Sequence, residues 1–256
     1  MKGAIIGDII GAPYEFLAIK NKDFDLFDPD RWQHTTDDSI LTFAIADKLI
    51  NGGNYQESLL KWSKKHPDQS WGTSYARWFK SDNHQPYNSF GNGSAMRVSP
   101  VGWLFNTLEE TLEEAKKSAE VTHNHPEGIK GAQAVATAIF MARNKATKEE
   151  IKKYIEDTFE YNLSRKYADF QPDYTFDVTC QGSVPEAIIC FLESTDFEDA
   201  IRNAVALGGD ADTQACITGS IAEAFYGKVP ANIWSECEKV LDTEMQKIIE
   251  DFYNKI

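Results

Sequence analysis

The sequence predicts an all-α protein that folds as one compact multi-helix domain over residues 1–256. Apolar residues recur at helical spacing along most of the chain, and no run alternates β-branched with polar residues as a half-buried strand would. The composition, 42% hydrophobic and 26% charged, is typical of a globular chain large enough to bury a core. No linker rich in Gly, Ser or Pro divides the chain, so we expect a single domain.

The first predicted helix lies at the N-terminus, where Gly3, Gly7 and Gly11 recur every fourth residue and line one face. Glycines on one face of a helix allow the backbone of a second helix to approach closely. Pro13 follows near the end of this helix, and after it comes Glu15, whose carboxylate can point into a site.

Start and stop signals predict the later helices. Pro185 and Asp196 are start signals, and Gly227 is a C-cap signal with a proline just beyond it. The predicted helices span residues 39–50, 128–144, 184–194, 196–207 and 212–226, and one long amphipathic helix spans 230–256. Irregular polar stretches separate them at residues 20–36, 66–72, 81–94 and 163–182. Long loops in a helical protein often carry its function.

The net charge of −14 argues against a general binder of nucleic acid or of anionic membranes. A phosphate-bearing small ligand stays compatible, because backbone N–H groups and bound cations can hold phosphate. Asp8 interrupts the N-terminal apolar run before a signal peptide can form, and no stretch reaches the roughly 18–20 apolar residues of a membrane helix. The four cysteines lie far apart, so disulfides are not predicted and a cytoplasmic location is expected.

Two clusters of oxygen-bearing residues each come directly before a predicted helix. Thr36, Asp37 and Asp38 form the first cluster, and Asp210, Asp212 and Thr213 form the second. Helix capping uses one or two of the oxygens in each cluster and leaves carboxylates over. If the two helix starts face each other, these oxygens suit Mg²⁺, Mn²⁺ or Ca²⁺ better than Zn²⁺, because thiolate and imidazole ligands are absent from both. Without a metal, some of the carboxylates would have to protonate.

A glycine-rich loop is the third candidate for binding. Gly91 and Gly93 free the backbone, and Ser89 and Asn92 add hydrogen-bonding groups. Such a loop can cradle a diphosphate through backbone N–H groups. Phe90 can stack on a base, although a phenylalanine is more often part of the buried core.

Two further features flank these motifs. His123 and His125 form a His-x-His pair without an evident third ligand, so hydrogen bonding to a ligand or to a carbonyl group is favoured over a zinc site. Gly208 and Gly209 precede the second acidic cluster and are expected to leave room for a substrate to reach the metals.

Taken together, the motifs make the sequence similar to the ADP-ribosylglycohydrolases, a family that includes the dinitrogenase reductase-activating glycohydrolase, the ADP-ribosyl-arginine and ADP-ribosyl-serine hydrolases and the J1-crystallins. The resemblance rests on five stretches in the family's order, namely GAIIGDIIGAPYEF, TTDDSIL, FGNGSAMR, THNHPEG and GGDADTQACITGSIAEAFYG. It implies an all-α fold with a central dinuclear metal cleft that holds two divalent cations, Mg²⁺ or Mn²⁺.

The resemblance also implies roles for individual residues. The implied metal ligands are Thr36, Asp37, Asp38, Asp210, Asp212 and Thr213. The implied substrate-binding residues are Glu15, Ser89, Phe90, Gly91, Asn92, Gly93 and His123. Within this set, the loop from Ser89 would hold the diphosphate and stack the adenine. Ala211 stands where the family often has threonine, at a position that is not a ligand.

The implied reaction is hydrolysis of the C1″ glycosidic bond of an ADP-ribosylated protein or small molecule, with release of ADP-ribose. Glu15, Asp37, Asp38 and Asp210 are the candidates for the catalytic base, and the sequence does not choose among them. Two alternatives stay open: a non-catalytic ADP-ribose-binding or crystallin-like protein, and another magnesium-dependent nucleotide hydrolase. The linkage that is cleaved, whether to arginine, serine, acetate or nucleic acid, also stays open.

Overall fold

Helices account for the regular structure of the computed structural model, which describes residues 1–256. The fifteen α-helices are α1 (Lys2–Gly11), α2 (Asp37–Asn51), α3 (Tyr55–Lys65), α4 (Thr73–Lys80), α5 (Gly93–Met96), α6 (Ser99–Leu104), α7 (Leu108–Glu120), α8 (Pro126–Arg143), α9 (Lys148–Phe159), α10 (Tyr167–Phe170), α11 (Cys180–Leu192), α12 (Phe197–Ala206), α13 (Ala211–Tyr226), α14 (Ala231–Glu238) and α15 (Thr243–Tyr253). A 3-10 turn, Ala12–Tyr14, follows α1. The one strand-like pairing is an isolated antiparallel bridge between Gly91 and Thr179. The all-α prediction is confirmed.

Helix α13 lies at the centre of the fold and is buried over almost its whole length. The glycine face of α1 packs directly against its backbone. A β-carbon added at Gly7 would lie 2.0 Å from the carbonyl oxygen of Ala215, and one added at Gly3 would lie 2.1 Å from that of Gly219. Only glycine permits this approach, so the close packing predicted from the glycine spacing is confirmed.

Helices α8, α11 and α12 pack on the other sides of α13. Their apolar side chains join those of α1 and α2 in one continuous hydrophobic core of 65 buried residues, so no boundary divides the chain. All four cysteines are buried in this region as free thiols. None of the helices is both long and apolar enough to cross a membrane.

Several predicted helix ends are confirmed by their capping geometry. Asp196 begins α12, and its Oδ1 accepts a hydrogen bond from the backbone N–H of Asp199 at 2.8 Å. Gly227 ends α13 with a φ of 81°, in the left-handed region that glycine adopts without strain.

The predicted start of α11 at Pro185 is wrong. The helix begins at Cys180, because Thr179 caps it by accepting a hydrogen bond from the backbone N–H of Gly182 at 3.1 Å. Pro185 then lies inside the helix, where its missing N–H leaves the carbonyl of Gln181 without a helical partner. Gln181 is exposed, so water can satisfy this carbonyl.

The single long helix predicted for residues 230–256 is also wrong. Two helices, α14 and α15, occupy this segment and are separated by a turn at residues 239–242. Asp242 causes the break, because its Oδ1 accepts from the backbone N–H of Met245 at 2.8 Å and so starts a new helix.

Candidate active site

The N-termini of α2 and α13 face each other across a short gap. The hydroxyl of Thr36 caps α2 by accepting from the backbone N–H of Asp38 at 3.2 Å. The Asp38 Oδ2 atom lies 3.3 Å from the Thr36 hydroxyl on its own helix and 3.3 Å from the Thr213 hydroxyl on α13. The two helix starts therefore face each other, which is the condition on which the predicted cation site depends.

The oxygen-bearing residues at the start of α13 do not cap that helix in the predicted way. Asp210 occupies the N-cap position of α13, but its side chain makes no capping hydrogen bond. Its Oδ2 instead accepts from the Asn92 amide at 2.7 Å. Asp212 accepts from the adjacent N–H of Thr213 at 2.9 Å. Most of the side-chain oxygens of Asp210, Asp212 and Thr213 therefore remain available to a cation.

Asp8 belongs to the site, although the sequence motifs did not predict it. It is fully buried on α1, and its carboxylate accepts from the Thr36 hydroxyl at 2.6 Å and from the backbone N–H groups of Thr36 and Ser39 at 3.0 and 3.1 Å. Asp8 therefore anchors the start of α2 to α1. The available signal was a single carboxylate in a helix whose other residues are largely glycine and isoleucine.

Six carboxylates converge between α1, α2 and α13, and we refer to them as the acidic cluster. Its members are Asp8, Glu15, Asp37, Asp38, Asp210 and Asp212. Carboxylate oxygens of Asp8, Asp38 and Asp212 lie within 4.8 Å of one another, as do those of Glu15, Asp210 and Asp212. Asp212 thus belongs to both groups. Asp37 belongs to neither but lines the same cleft.

The donor set fits divalent cations. No lysine or arginine forms an ion pair with any member of the acidic cluster. The Oδ1 atom of Asp38 is buried without a hydrogen-bond partner. Buried carboxylates without a counter-charge are unfavourable unless a cation or a proton compensates them, and oxygen ligands are those that Mg²⁺, Mn²⁺ and Ca²⁺ prefer.

Burial, reinforced by the neighbouring carboxylates, shifts the titration of the cluster upward. The pKa of Glu15 rises from its ordinary 4.5 to about 7, through burial first and then the charges of Asp212 and Asp8. Burial raises the pKa of Asp210 to about 6, and it raises the pKa values of Asp38 and Asp212 well above the ordinary range. A cation bound here would displace protons from these groups.

All members of the acidic cluster except Asp8 line a cleft with a volume of about 370 Å³. The predicted site residues that line it are Glu15, Asp37, Asp38, Ser89, Gly91, Asn92, Gly93, His123, Asp210, Asp212 and Thr213. Two predicted residues do not line it. Thr36 lies behind the cluster against Asp8, and Phe90 is 44% exposed with its ring edge-on to His125 at 5.3 Å.

The glycine-rich loop also lines the cleft and is held by hydrogen bonds of its own. The Gly91 N–H donates to the Ser89 hydroxyl at 3.1 Å, and the Asn92 N–H donates to the Val178 carbonyl at 2.7 Å. These two backbone donors are engaged within the protein rather than free to cradle a diphosphate.

Several residues that line the cleft carried no recognisable signal in the sequence. These residues are Tyr75, Tyr87, Arg97 and Phe176, and the Tyr87 ring lies 5.9 Å from that of His123 between centroids. The ring of Phe176 stacks on that of Phe16 at a centroid distance of 5.8 Å, so an aromatic pair stands beside Glu15 at the entrance.

Gly208 and Gly209 do not line this cleft but an adjoining cavity that shares Glu15 and Phe176 with it, so the expectation that they leave room for substrate stays a prediction. Gly208 has a φ of +72° and is needed for the turn, and the Lys20 side chain lies against it. The Tyr174 ring fills the space beside Gly209, where an added β-carbon would lie 2.4 Å from a ring carbon.

A wider groove of about 820 Å³ lies on the far side of Ser70. Trp32, His34, Lys65 and Lys239 line it, and Asp68 is its one carboxylate. The smaller cleft is therefore the candidate active site, because most of the acidic cluster lines it and none of the cluster lines this groove.

A family model described as ADP-ribosylglycohydrolase matches residues 1–256. The chain belongs to the ADP-ribosylglycohydrolase family. ADP-ribosylhydrolase ARH3 of Mus musculus is 25% identical over 327 aligned positions, which cover 96% of this chain and 88% of that protein. ADP-ribosylarginine hydrolase Tri1 of Pseudomonas putida (strain GB-1) is 26% identical over 261 positions, which cover 88% of this chain and 69% of that protein.

A solved structure described as an ADP-ribosylglycohydrolase-related protein complex shares the fold, with a TM-score of 0.75 at 22% sequence identity. The match covers 99% of this chain and 95% of that one. The family assignment agrees with the resemblance that the sequence motifs indicated. The chain is a glycohydrolase enzyme.

Proposed function

We propose that this glycohydrolase cleaves the C1″ glycosidic bond of an ADP-ribose conjugate and releases ADP-ribose, with two divalent cations, Mg²⁺ or Mn²⁺, held in the cleft. One observation carries the proposal: all members of the acidic cluster except Asp8 line a single cleft, and none of the cluster forms an ion pair with a basic side chain. Membership of the ADP-ribosylglycohydrolase family supports the substrate class.

The two overlapping carboxylate groups suggest how the ions would be divided. One ion would be held by Asp38 and Asp212 with the Thr213 hydroxyl, and the other by Glu15, Asp210 and Asp212. Bound there, the cations would supply Lewis acidity and a water molecule of lowered pKa. Thr36 and Asp37 remain predicted ligands beside these groups.

The protein's own residues would bind and orient the conjugate. His123 and the loop from Ser89 to Gly93 line the same cleft as the carboxylates, so the diphosphate would lie along them, through contacts other than the engaged N–H groups of Gly91 and Asn92. Holding the diphosphate aligns the ribose with the acidic cluster, and remote binding energy of this kind lowers the barrier at the reacting bond.

Two carboxylates are the strongest candidates for the proton acceptor. Cleavage at C1″ passes through a state with positive charge on the ribose ring, which nearby carboxylates stabilise. Glu15 and Asp37 are the two members of the acidic cluster that are only partly buried, so a substrate can reach them. A general base must lie within hydrogen-bond reach of the proton that it removes, and this favours the pair over Asp38 and Asp210.

The names of the relatives suggest which conjugates to test. One relative is named an ADP-ribosylhydrolase and the other an ADP-ribosylarginine hydrolase. The experiment incubates the protein and Mg²⁺ with ADP-ribosyl-arginine, ADP-ribosyl-serine and O-acetyl-ADP-ribose and identifies the products by chromatography. Asp210→Ala is the inactive variant, and the exposed Asp82→Asn is a control for a lost carboxylate elsewhere.

We expect free ADP-ribose from at least one conjugate with the wild type and Asp82→Asn, and none with Asp210→Ala. Binding of ADP-ribose without turnover of any conjugate would support a non-catalytic ADP-ribose-binding protein instead. Release of AMP would support a nucleotide pyrophosphatase.

A further inference from the structure

Three buried polar side chains form a chain of hydrogen bonds that leads to the cleft. Arg97 is fully buried and pairs with no carboxylate, and its Nη2 donates to the Ser118 carbonyl at 2.8 Å and to the Thr122 hydroxyl at 2.9 Å. A guanidinium stays protonated in proteins and can only donate. The Thr122 oxygen is therefore an acceptor toward Arg97.

The Thr122 hydroxyl must then donate in the other direction. Its oxygen lies 2.7 Å from Nδ1 of His123, which is the one acceptor within reach of the hydroxyl hydrogen. Thr122 is fully buried, and leaving its O–H without an acceptor would cost on the order of 1–3 kcal/mol. The hydroxyl therefore donates to Nδ1, and Nδ1 carries no hydrogen.

The remaining ring hydrogen of His123 is on Nε2. Burial and the nearby charge of Arg97 lower the pKa of His123 well below its ordinary value, so the ring is neutral. A neutral imidazole carries one hydrogen, and with Nδ1 as an acceptor this hydrogen must sit on the other nitrogen.

The Nε2 atom faces the glycine-rich wall of the cleft. A β-carbon added at Gly93 would lie 3.1 Å from Nε2, and one added at Gly91 would lie 3.6 Å away. Nε2 makes no hydrogen bond within the protein. His123 and both glycines line the cleft, and the absence of side chains at Gly91 and Gly93 leaves Nε2 uncovered on that side.

We propose that Arg97 and Thr122 are positioning residues that lock His123 as its Nε2–H tautomer, so that the cleft presents a fixed ring N–H donor to an anionic oxygen of the ligand. His123 then binds the ligand and does not take up a proton during the reaction. The proposal rests on the proposed function only where it identifies that oxygen with the diphosphate of ADP-ribose.

The lock is tested by NMR on the ligand-free protein labelled with ¹⁵N-histidine. Long-range ¹H–¹⁵N correlations distinguish the two tautomers and the imidazolium. The chain has five histidines, and the His123 signal is assigned by its loss in His123→Gln. Thr122→Val removes the hydroxyl at nearly constant volume, and Thr122→Ser keeps it as the matched control.

We expect the Nε2–H pattern for His123 in the wild type and in Thr122→Ser, and the Nδ1–H form or a mixture in Thr122→Val. Thr122→Val should bind ADP-ribose about tenfold more weakly by calorimetry, because a ring without a hydrogen on Nε2 loses its hydrogen bond to the charged diphosphate. Thr122→Ser should bind with an affinity close to that of the wild type. Because the glutamine amide can replace an Nε2–H donor and the asparagine amide is too short, His123→Gln should retain more affinity than His123→Asn.

An Nδ1–H or imidazolium pattern for the wild type at neutral pH would overturn the proposal. So would an unchanged tautomer in Thr122→Val, because the hydroxyl would then not be the lock. If the tautomers behave as expected and no conjugate is hydrolysed, the lock stands and the proposed reaction alone fails.

Discussion

Replacement of Gly7 by alanine tests the packing that holds the acidic cluster together. The new β-carbon would lie 2.0 Å from the carbonyl oxygen of Ala215 and 2.6 Å from the backbone nitrogen of Cys216, both in the buried helix α13. Ordinary contact begins at 3.4 Å, so α1 and α13 would have to separate by roughly 1.4 Å. Helix backbone cannot rotate away as a side chain can.

The cost can be worked from this geometry. Overpacking by one methyl group costs about 1–3 kcal/mol, and rigid backbone places this case at or above the upper end. The better helix propensity of alanine offsets about 0.5–1 kcal/mol of this cost. The free energy of unfolding should therefore fall by about 2 kcal/mol, which lowers the Tm of a chain of this size by about 4–8 °C.

The assay is thermal unfolding followed by circular dichroism, with Gly72→Ala as the control. Gly72 has no atom within 4 Å of an added β-carbon, so this variant shares the effect of alanine on the unfolded chain without the clash. Gly72 is the N-cap of α4, where alanine is less favourable than glycine, so Gly72→Ala should show a smaller loss; a Tm for Gly7→Ala within about 1 °C of the wild type would show that α1 and α13 are not in backbone contact.

Two further predictions concern the metals. The pKa of Glu15 is raised from 4.5 to about 7 and that of Asp210 to about 6. After the metal has been removed with a chelator, the folded protein therefore keeps protons on these two carboxylates at pH values where the unfolded chain has lost them. The Tm of the metal-free protein should therefore fall as pH rises from about 5 to about 8, and added Mg²⁺ should raise the Tm more at the higher pH. A Tm that is constant or rises over this range would contradict the raised pKa values. Asn92→Ala removes the amide that donates to Asp210 and should weaken Mn²⁺ binding about tenfold by calorimetry, whereas unchanged affinity would mean that this hydrogen bond does not support the site.

Local signals explain why much of the fold could be predicted. The spacing of Gly3 and Gly7 predicted a close helix contact, and the structure shows both against α13. Thr36 predicted a capped helix start, and its hydroxyl caps α2. Each of these signals depends on residues within one or two helical turns, so the sequence carries it directly.

Competition between two such signals produced the errors in helix bounds. Pro185 is a common first-turn residue, but Thr179 lies upstream and caps the helix first. Asp242 is a capping residue inside a continuous amphipathic pattern, and its hydrogen bond to the backbone divides that pattern. Periodicity alone does not show which signal prevails.

The residue contacts that were not predicted join distant parts of the chain. Asp8 binds a helix start 28 residues away, and Asn92 donates to a carboxylate 118 residues away. Arg97 acts on His123 through Thr122, and no local pattern marks such a chain. Motif order identified the family, but these partnerships required the fold.

The stoichiometry of metal binding tests the central claim most directly, namely that the acidic starts of α2 and α13 together form a site for two cations. The measurement is calorimetric titration of chelated, dialysed protein with Mn²⁺, for the wild type and for Asp212→Asn. Because the carboxylate of Asp212 belongs to both groups of ligands, the account predicts two ions per wild-type chain and a variant that loses high-affinity binding of both. A wild type that binds no Mn²⁺, or an Asp212→Asn variant that still binds two ions with wild-type affinity, would contradict it.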